Sequence, residues 1–524
     1  MDEGAVCREI ISRIFSVVPD LADVQQIKLE VCRQFGITDI PKNSRILSAA
    51  SDKERVALRR LLLLKPTRTI SGVAPVAVMT SPYPCPHGKC LPCPGGPAHP
   101  FQSPQSYTGE EPAALRAREH QFDPYKQVRA RLEQFHMLGH HVNKVELIVM
   151  GGTMTARPFP YQKEFVSRCI QAMNEYPVEP STLQPSFEEV AAQNERATAR
   201  CVAITFETRP DWSRQVHIDQ MLSLGVTKVE LGVQQLDDRI LLLNRRGCTV
   251  EDTITANRLL RDSGLKVGFH VMPNLPGSTL ADDRRMFELL FSSPDLRPDF
   301  LKIYPTLVTP GSEIEALWKA GKYQPYREED LIDLIAYAKS LLPEYVRLQR
   351  IQRDIPAQLI LAGSRHSNFR QLAKKQLERE GKRCRCIRCR EVGRTDHEAE
   401  SEIKELRYTC GGGTEHFFSM VSGDALIGFA RLRKPYQPHR PELHDAALLR
   451  ELHVYGELVP VGERPRSSAW QHRKVGQELL TVAEECSHAA GYSEIAIMSG
   501  IGVRPYYRRH GYARRGPYMV KEVT

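Results

Sequence analysis

The sequence predicts an α/β fold in which a helical segment precedes a partial (βα)6 barrel and a second α/β domain follows it. Two observations predict the barrel: six apolar, β-branched runs alternate with helical patterns, and polar residues stand where those runs end. Alternating strands and helices form a parallel sheet, and six such units suit a partial barrel. The six expected strands are Val73–Thr80, Val145–Gly151, Val202–Thr208, Val229–Gln235, Val267–Pro273 and Leu301–Val308.

Two connections between these strands have the same plan. In MLSLGVTKVELGV and LLRDSGLKVGFHV a helical pattern ends at Gly225 or Gly264, and a strand begins two or three residues later. Glycine at that place suits the left-handed conformation that closes many helices. In barrels the reactive groups lie where strands end, so the site is expected at those ends.

Four regions follow from the changes of pattern along the chain. We expect a helical, basic segment at 1–70, the barrel at 71–342, a basic linker with a Cys-rich metal site at 343–410, and the second α/β domain at 411–524. In that last region FFSMVSGDALIGFARLR indicates two strands around the turn at Gly423 and Asp424. ELHVYG and EIAIMSG are further candidate strands, separated by the helical stretch QELLTVAEECSHAA.

The composition is that of a folded protein of several domains. The chain has 524 residues, 41% hydrophobic and 26% charged, which exceeds one ordinary core. It contains no apolar run of the roughly 20 residues that a membrane helix needs, and MDEGAVCREI is unlike a secretory signal. We therefore expect a cytoplasmic location without membrane insertion.

The net charge of +9 is concentrated in three stretches. Lys42–Arg68 holds eight Lys or Arg against two acids, Arg365–Arg394 holds eleven against three, and Arg504–Arg515 surrounds Tyr506 with arginines. One such stretch alone is usually a solvated face, but three indicate a polyanionic partner.

Six of the thirteen cysteines form two tight clusters, which in a reducing compartment indicates metal. Cys85, Cys90 and Cys93 lie in SPYPCPHGKCLPCPGGP, after the first expected strand. Three thiolates leave one coordination position open, as a 4Fe–4S cluster that binds S-adenosylmethionine requires, whereas a structural zinc site is closed by four ligands. The alternative is a zinc site completed by His87.

The second cluster is KRCRCIRCR, with Cys384, Cys386 and Cys389 among five basic residues. Neighbouring arginines favour thiolates, which suits a structural zinc site in the linker. The fourth ligand is open: His397 and Cys410 are candidates, and His366 is too far along an intervening helix. The alternative is a group of reactive thiols.

Several sequence blocks make the chain similar to the Elongator catalytic-subunit family from about Lys65 to the C-terminus. They include VAVMT…CPHGKCLPCPGGP, QSYTGEEP, KVELIVMGGT, FETRPD, GVQQLDD and KIYPTLVTPGSE, and the four-residue gap between the first two cysteines falls within that family's range. The resemblance implies a barrel of the radical S-adenosylmethionine type. It also implies that Gly151 and Gly152 contact the methionine end of the cofactor, and that Gln234 and Lys302 line its pocket.

The C-terminal region resembles the GCN5-related acetyltransferases. QHRKVGQ (471–477) approximates their signature Q-x-x-G-x-G/A, with Lys474 in place of the first glycine. Such a loop opens a helix whose free N–H groups hold a pyrophosphate. By this resemblance acetyl-CoA contacts the following residues: Glu451, Leu452, His453 and Val454 along the pantetheine arm, Val475, Gly476 and Gln477 at the phosphates, Tyr507 beside Tyr506 at the thioester, and Lys144 from the barrel.

The family resemblance implies a tRNA-modifying acyltransferase that acts on the wobble uridine. A radical derived from S-adenosylmethionine would take hydrogen from the acetyl group of acetyl-CoA, the carbon would add to C5, and thioester hydrolysis would leave a carboxymethyl group. An electron donor is needed, and a homodimer or accessory subunits are conceivable. The alternatives are a protein lysine acetyltransferase with a structural iron–sulfur domain and a non-catalytic tRNA-binding scaffold.

Overall fold

Three bodies follow one another along the chain: a helical bundle, a parallel sheet and a mixed sheet. The computed structural model describes residues 3–17, 21–63, 72–97, 103–140, 142–178, 185–366, 368–392, 400–455 and 474–523. In these ranges no helix has the length and apolarity needed to cross a bilayer.

The N-terminal bundle consists of four helices, as the sequence predicts. They are α1 (Glu3–Ser16), α2 (Leu21–Gln34), α3 (Asn43–Ala49) and α4 (Asp52–Leu62). Their apolar faces meet in a small core that includes Val6, Ile10, Val31 and Leu47. The basic stretch Lys42–Arg68 begins on this bundle, and its last residues, from 64 on, lie outside the described part.

The parallel sheet has seven strands in chain order, so it is one strand larger than predicted. The strands are β1 (Ala74–Met79), β2 (Lys144–Met150), β3 (Arg200–Thr208), β4 (Lys228–Gln234), β5 (Lys266–Val271), β6 (Phe300–Ile303) and β7 (Arg347–Ile351). The first six overlap the six predicted runs, although the sixth strand ends at Ile303 and not at Val308 as predicted. The seventh was missed because RLQRI carries two arginines and a glutamine, although its Leu348 and Ile351 are buried.

Helices connect these strands and cover the outside of the sheet. They are α5 (Pro112–Glu119), α6 (Pro124–Met137), α7 (Phe159–Asn174), α8 (Phe187–Asn194), α9 (Gln215–Ser223), α10 (Asp238–Leu243), α11 (Val250–Asp262), α12 (Leu280–Ser292), α13 (Glu313–Lys319) and α14 (Glu328–Ser340). Gly225 and Gly264 follow α9 and α11 with φ of +74° and +83°, which confirms the predicted helix ends. Thr249 and Thr279 begin α11 and α12 with capping boxes.

The mixed sheet contains the strand pair predicted around Gly423 and also includes strands that the sequence did not predict. In spatial order it runs β13, β14, β12, β11, β10, β9, β8. The elements are α15 (Phe369–Arg379), α16 (Ile387–Arg390), β8 (Glu402–Cys410), β9 (Gly413–Ser422), β10 (Ala425–Lys434), β11 (Ala446–Val454), α17 (Val475–Ala489), β12 (Glu494–Ile497), α18 (Arg504–Arg508), β13 (Ala513–Arg515) and β14 (Tyr518–Glu522). The expected linker 343–410 thus supplies β7 to one sheet and β8 to the other.

A fully buried ion network joins the two sheets. Arg450 of β11 donates to Asp299 through Nη1 at 2.8 Å and through Nη2 at 2.9 Å, and Nη2 also lies 2.8 Å from Glu415 Oε2. Arg433 of β10 is 2.6 Å from Asp262 at the end of α11. All these side chains are at most 1% exposed, so the charges neutralise one another without water.

Close backbone contact reinforces this junction. A Cβ atom on Gly500 would lie 2.0 Å from the carbonyl oxygen of Val202 in β3, and one on Gly502 would lie 2.6 Å from Arg200 Cβ. The turn after β12 can therefore reach the start of β3 because these two residues lack side chains.

Candidate active site

A cavity of about 1910 Å³ connects the cysteine loop after β1 with strand β11 of the mixed sheet. Its wall includes Cys85, Cys90 and Cys93, the inner faces of the barrel strands, Glu451–Val454 and Tyr507. Residues at both the beginnings and the ends of the parallel strands line it, so it follows the strands along their length. Its lining contains fourteen Lys or Arg and six Asp or Glu, a surplus of positive charge that suits anionic ligands.

The three cysteines of the loop are spaced too widely for a single metal ion. The sulfurs of Cys85, Cys90 and Cys93 do not all lie within 4.8 Å of one another, in contrast to the donor atoms of two other triads among the described residues. Thiolates around one zinc, each at about 2.3 Å, would be closer than that. The spacing therefore fits a larger iron–sulfur cluster and disfavours the zinc alternative, even though His87 Nε2 lies 3.0 Å from Cys90 Sγ.

Polar groups surround each thiol of this loop. Thr153 Oγ1 is 3.6 Å from Cys85 Sγ, Gln105 Nε2 is 3.4 Å from Cys93 Sγ, and Arg246 Nη1 is 3.8 Å from Cys90 Sγ. A buried guanidinium beside the sulfurs stabilises the negative charge that thiolate ligands carry.

The glycine pair after β2 brings backbone close to the cysteine loop. Gly151 and Gly152 have φ of +127° and +97°. A Cβ on Gly151 would lie 2.3 Å from Thr80 Oγ1, and one on Gly152 would lie 3.1 Å from Gln105 Cβ. Both positions therefore require glycine, and the next residue, Thr153, contacts Cys85.

Gln234, at the end of β4, offers an unused acceptor to the cavity. Its Oε1 is buried and has no hydrogen-bond partner, and its backbone takes a φ of +71°. A buried acceptor without a partner costs free energy unless a ligand donates to it. The cysteine spacing, the glycine pair and this oxygen fit the expected cluster and S-adenosylmethionine.

Lys302 lies in an ionic network inside the barrel. Its Nζ contacts Glu230 of β4 and lies 3.5 Å from Glu207 Oε1 at the end of β3. Glu230 also receives His270 Nε2 at 3.0 Å. Burial would lower the pKa of Lys302, but Glu230 raises it above its usual value. Although Glu207, Glu230 and His270 have the spacing of metal ligands, the Lys302 ammonium already supplies their cation.

Sequence reasoning missed Glu230 and His270 because both lie inside strands. The signal that could have found them is a charged or titratable residue within an apolar strand pattern, as in KVELGV and KVGFHV. Such a residue is expected to face a polar interior rather than a helix.

The wall formed by β11 has backbone groups without a strand partner on one side. β11 pairs with β12 only over Ala446–Leu449. Beyond that point Glu451–Val454 pairs, within the described part of the chain, with β10 alone, so the edge facing the cavity can bind an extended ligand. Leu452, His453 and Val454 line the cavity here together with Tyr506.

The start of α17 adjoins this wall. Lys474 precedes the helix in the left-handed conformation, with φ of +62°, and residues 471–473 of the expected loop lie outside the described ranges. Gly476 faces Tyr506, whose Oη would lie 3.2 Å from a Cβ at that position. Gly476 thus lies next to Tyr506, which lines the cavity, whereas Val475, Gly476 and Gln477 themselves are not among the lining residues.

Two further expected residues lie on the same wall. Tyr507 is only 5% exposed, and burial raises the pKa of its hydroxyl. Lys144 begins β2, and burial, followed by the charge of Arg200, lowers the pKa of its ammonium. The fold thus places the barrel lysine and the residues of the second domain around one cavity.

The second cysteine cluster converges on one point. The sulfurs of Cys384, Cys386 and Cys389 lie within 4.8 Å of one another, as zinc ligands do. Cys410 is not part of this group, since its sulfur contacts the Leu296 carbonyl at 3.4 Å. His366 pairs with Glu328 at 2.7 Å, and His397 lies outside the described residues.

Known proteins match the chain over its whole length. Residues 4–70 match the ELP3 N-terminal domain, 85–290 the Radical SAM superfamily, and 298–379 the Radical_SAM C-terminal domain. The chain is 49% identical to the tRNA uridine(34) acetyltransferase of Methanocaldococcus jannaschii over 99% of both chains. It is 40% identical to Elongator complex protein 3 of Homo sapiens over 95% of this chain and 93% of the human protein.

A solved structure agrees with these sequence matches. The archaeal Methanocaldococcus infernus Elp3 with residues 1–46 deleted is 45% identical, covers 87% of this chain and 100% of its own, and superposes with a TM-score of 0.76. The fold therefore has a counterpart in that structure. The chain belongs to the Elongator complex protein 3 family.

Proposed function

We propose that this chain is a tRNA uridine(34) acetyltransferase that uses acetyl-CoA and a radical S-adenosylmethionine centre to place a carboxymethyl group on C5 of the uridine. The observation that carries the proposal is the single cavity that joins the three-cysteine loop to strand β11. Relatives with the same architecture bear the name of this activity. Carbon–carbon bond formation from a thioester needs both kinds of site within reach of one substrate.

The cysteine loop end of the cavity would hold the redox centre. Cys85, Cys90 and Cys93 would bind a 4Fe–4S cluster, and Gly151 and Gly152 would contact S-adenosylmethionine at its open iron. These groups supply the one-electron chemistry that activates an unreactive C–H bond, and an external electron donor is required. The Gln234 amide oxygen would accept a hydrogen bond from the cofactor.

The β11 end would hold acetyl-CoA. The free edge of Glu451–Val454 would pair with the amide groups of the pantetheine arm, and the N-terminus of α17 would face the phosphates. Lys474 keeps the left-handed conformation that glycine usually supplies there, and its charge favours the phosphates. Tyr506, Tyr507 and Lys144 would surround the thioester.

tRNA is the proposed polyanionic substrate. The chain carries separate basic stretches on α3–α4 and around α15–α16, and the lining of the cavity has a surplus of positive charge. Phosphate contacts of this kind supply most of the affinity for nucleic acid and little sequence preference.

Cys384, Cys386 and Cys389 are proposed as a structural zinc site. Hydrogen bonds from Cys384 and Cys389 lower the pKa of the Cys386 thiol, which favours the thiolate that zinc requires. The site would fix α16 near β7, since the Ile387 N–H already donates to the carbonyl oxygen of Val346, the residue before β7, 2.9 Å away.

The test is anaerobic incubation of the reconstituted chain with tRNA, acetyl-CoA, S-adenosylmethionine and a reductant, followed by mass spectrometry of the nucleosides. We expect carboxymethyluridine from the unaltered chain and none from Cys93→Ser. Acetylated protein lysine without a modified nucleoside would favour the lysine acetyltransferase instead. tRNA binding without either product would favour the scaffold.

A further inference from the structure

The end of the cavity beside β11 contains a histidine whose imidazole has an unused nitrogen. His453 lines the cavity, and its Nε2 is buried without a hydrogen-bond partner. Its ring is held by aromatic neighbours instead: the centroids of Tyr455 and Phe429 lie 4.4 Å and 5.8 Å away. The imidazole lies nearly parallel to Phe429 and is tilted against Tyr455, so ring contacts hold it while Nε2 has no partner among the described residues.

Two ammonium groups in the same cavity also have no partner. In the described part of the chain, neither Lys144 of β2 nor Lys266 of β5 forms a hydrogen bond or an ion pair, and both line the cavity. Lys228 and Lys302, farther along the lumen, are by contrast held by Glu146 and Glu230. Lys144 and Lys266 are thus two ammonium groups of this cavity that remain available to a developing negative charge.

The other candidates for a base at this end of the cavity are already committed. Glu451 accepts from Arg431 Nε at 2.8 Å, and Arg431 and Lys266 hold its pKa below the usual value. Burial raises the pKa of Tyr507, which therefore stays protonated. His453 Nε2 is by contrast a nitrogen acceptor that no described residue occupies.

We propose that His453 is the general base that hydrolyses the acyl-CoA thioester, with Lys144 and Lys266 stabilising the oxyanion. The inference rests on the proposed function, which leaves a carboxyl group on the product. His453 Nε2 accepts a proton from water, and the water oxygen bonds to the thioester carbon. The tetrahedral oxyanion then collapses, the C–S bond breaks, and His453 returns the proton to the CoA sulfur.

The surroundings of His453 keep it neutral at physiological pH. Burial lowers its pKa to about 4, while the charges facing it, Glu451 and Glu391 against Arg347 and Lys144, largely oppose one another. Because the neutral ring is the active form, the hydrolysis rate should stay level from about pH 8 to pH 5 and fall as the pH approaches 4. An ordinary histidine would lose activity near pH 6.5.

The experiment measures CoA thiol release by the full chain with tRNA, and separately measures binding of a thioether analogue of acetyl-CoA. The variant His453→Gln keeps a polar side chain but loses the basic nitrogen. We expect thiol release by the variant to fall about 100-fold or more. The dissociation constant of its complex with the thioether analogue should stay within about 3-fold of that of the unaltered chain. The control is His488→Gln, an exposed histidine at the end of α17, which should change neither quantity.

Each outcome decides the proposal. Unchanged thiol release by His453→Gln would overturn it, as would a loss of release matched by an equal loss of thioether affinity. If the unaltered chain releases no thiol with tRNA, the inference also fails, while nucleoside mass spectrometry judges the proposed function independently. Thiol release that depends on His453 without a carboxymethyl product would support the hydrolytic role and reject the proposed function.

Discussion

Individual side chains in the cavity fall into two groups according to their partners. Glu230 is saturated by Lys302, His270 and Lys228, so this part of the lumen is already neutral. By contrast, the Lys144 ammonium, Gln234 Oε1 and His453 Nε2 have no hydrogen-bond partner among the described residues. Unsatisfied groups are the ones to which a ligand can add new hydrogen bonds, and they lie toward the cysteine loop and toward β11.

Lys144 gives a test of coupling between the two domains. We expect Lys144→Ala to lower acetyl-CoA turnover about 10-fold or more, since a charge-assisted contact is worth about 1.5–3 kcal/mol, while iron content stays unchanged. The measurement is thiol release beside an iron assay, with Lys163→Ala, an exposed lysine on α7, as the control. Unaltered turnover would mean that Lys144 does not contact the thioester.

The cysteine loop gives a second test at this scale. Anaerobic reconstitution should load about four irons per chain, the stoichiometry of a 4Fe–4S cluster, and Cys93→Ser should lose most of them because only three protein ligands are available. Iron and sulfide analysis checks this, and Cys486→Ser on α17 should retain the full load. A Cys93→Ser chain with four irons would show that the cluster is held elsewhere.

At the scale of elements, the contact between the turn after β12 and strand β3 decides how the domains fit. Gly500 has an ordinary φ of −63°, so an alanine there would be strained only by its approach to Val202 O. We expect Gly500→Ala to lower the Tm by several degrees, because overpacking costs about 1–3 kcal/mol. Ala489→Ser, at an exposed position of α17, is the control for adding one atom outside the junction, and equal Tm values would argue against a tight junction.

Helix α15 tests the proposed tRNA surface. Lys374, Lys375 and Arg379 are exposed on it, and replacing all three with glutamine should weaken binding of different tRNAs equally. The slope of log affinity against log salt should decrease by about 0.7–0.9 for each phosphate that the variant no longer neutralises. Neutralising Lys163, Lys319 and Lys322, which lie outside the basic stretches, should leave the slope unchanged; an unchanged slope for the α15 variant would identify a solvated face.

Most elements were predictable because the spacing of apolar residues that marks a strand or a helix is a local property of the sequence. The six predicted strands and the glycine ends at Gly225 and Gly264 follow from apolar runs and turn chemistry. Strand β7 could not be predicted, since its pattern RLQRI contains charges that only the assembled cavity accommodates: Arg347 bonds Tyr455 Oη at 2.8 Å across the domain junction. The cysteine loop was visible in the sequence, whereas the unpaired state of His453 depends on packing by both domains.

The whole molecule depends on acid groups that are ionised and buried. Burial would raise the pKa of Glu415, but Arg450, Arg261 and Arg433 lower it to about 2. Because this value is below the unfolded one of about 4.3, the stabilisation is complete above that pH and is lost as the pH falls toward 2. We expect the Tm to fall steeply between about pH 4 and 2, and less steeply in Glu415→Gln; parallel curves for the two chains would contradict this.

The buried network also determines whether the two sheets can exist as separate fragments. A barrel cut before residue 411 would keep Asp299 and Asp262, both within 1% of complete burial, but would lose Arg433 and Arg450. Separation would expose these carboxylates and the apolar residues around them to water, so the fragment would lose its buried ion pairs and present an uncovered inner face. The C-terminal sheet would likewise carry Arg450 without Asp299. The two halves are therefore not transferable modules, and neither could be grafted onto another protein without redesigning its inner face.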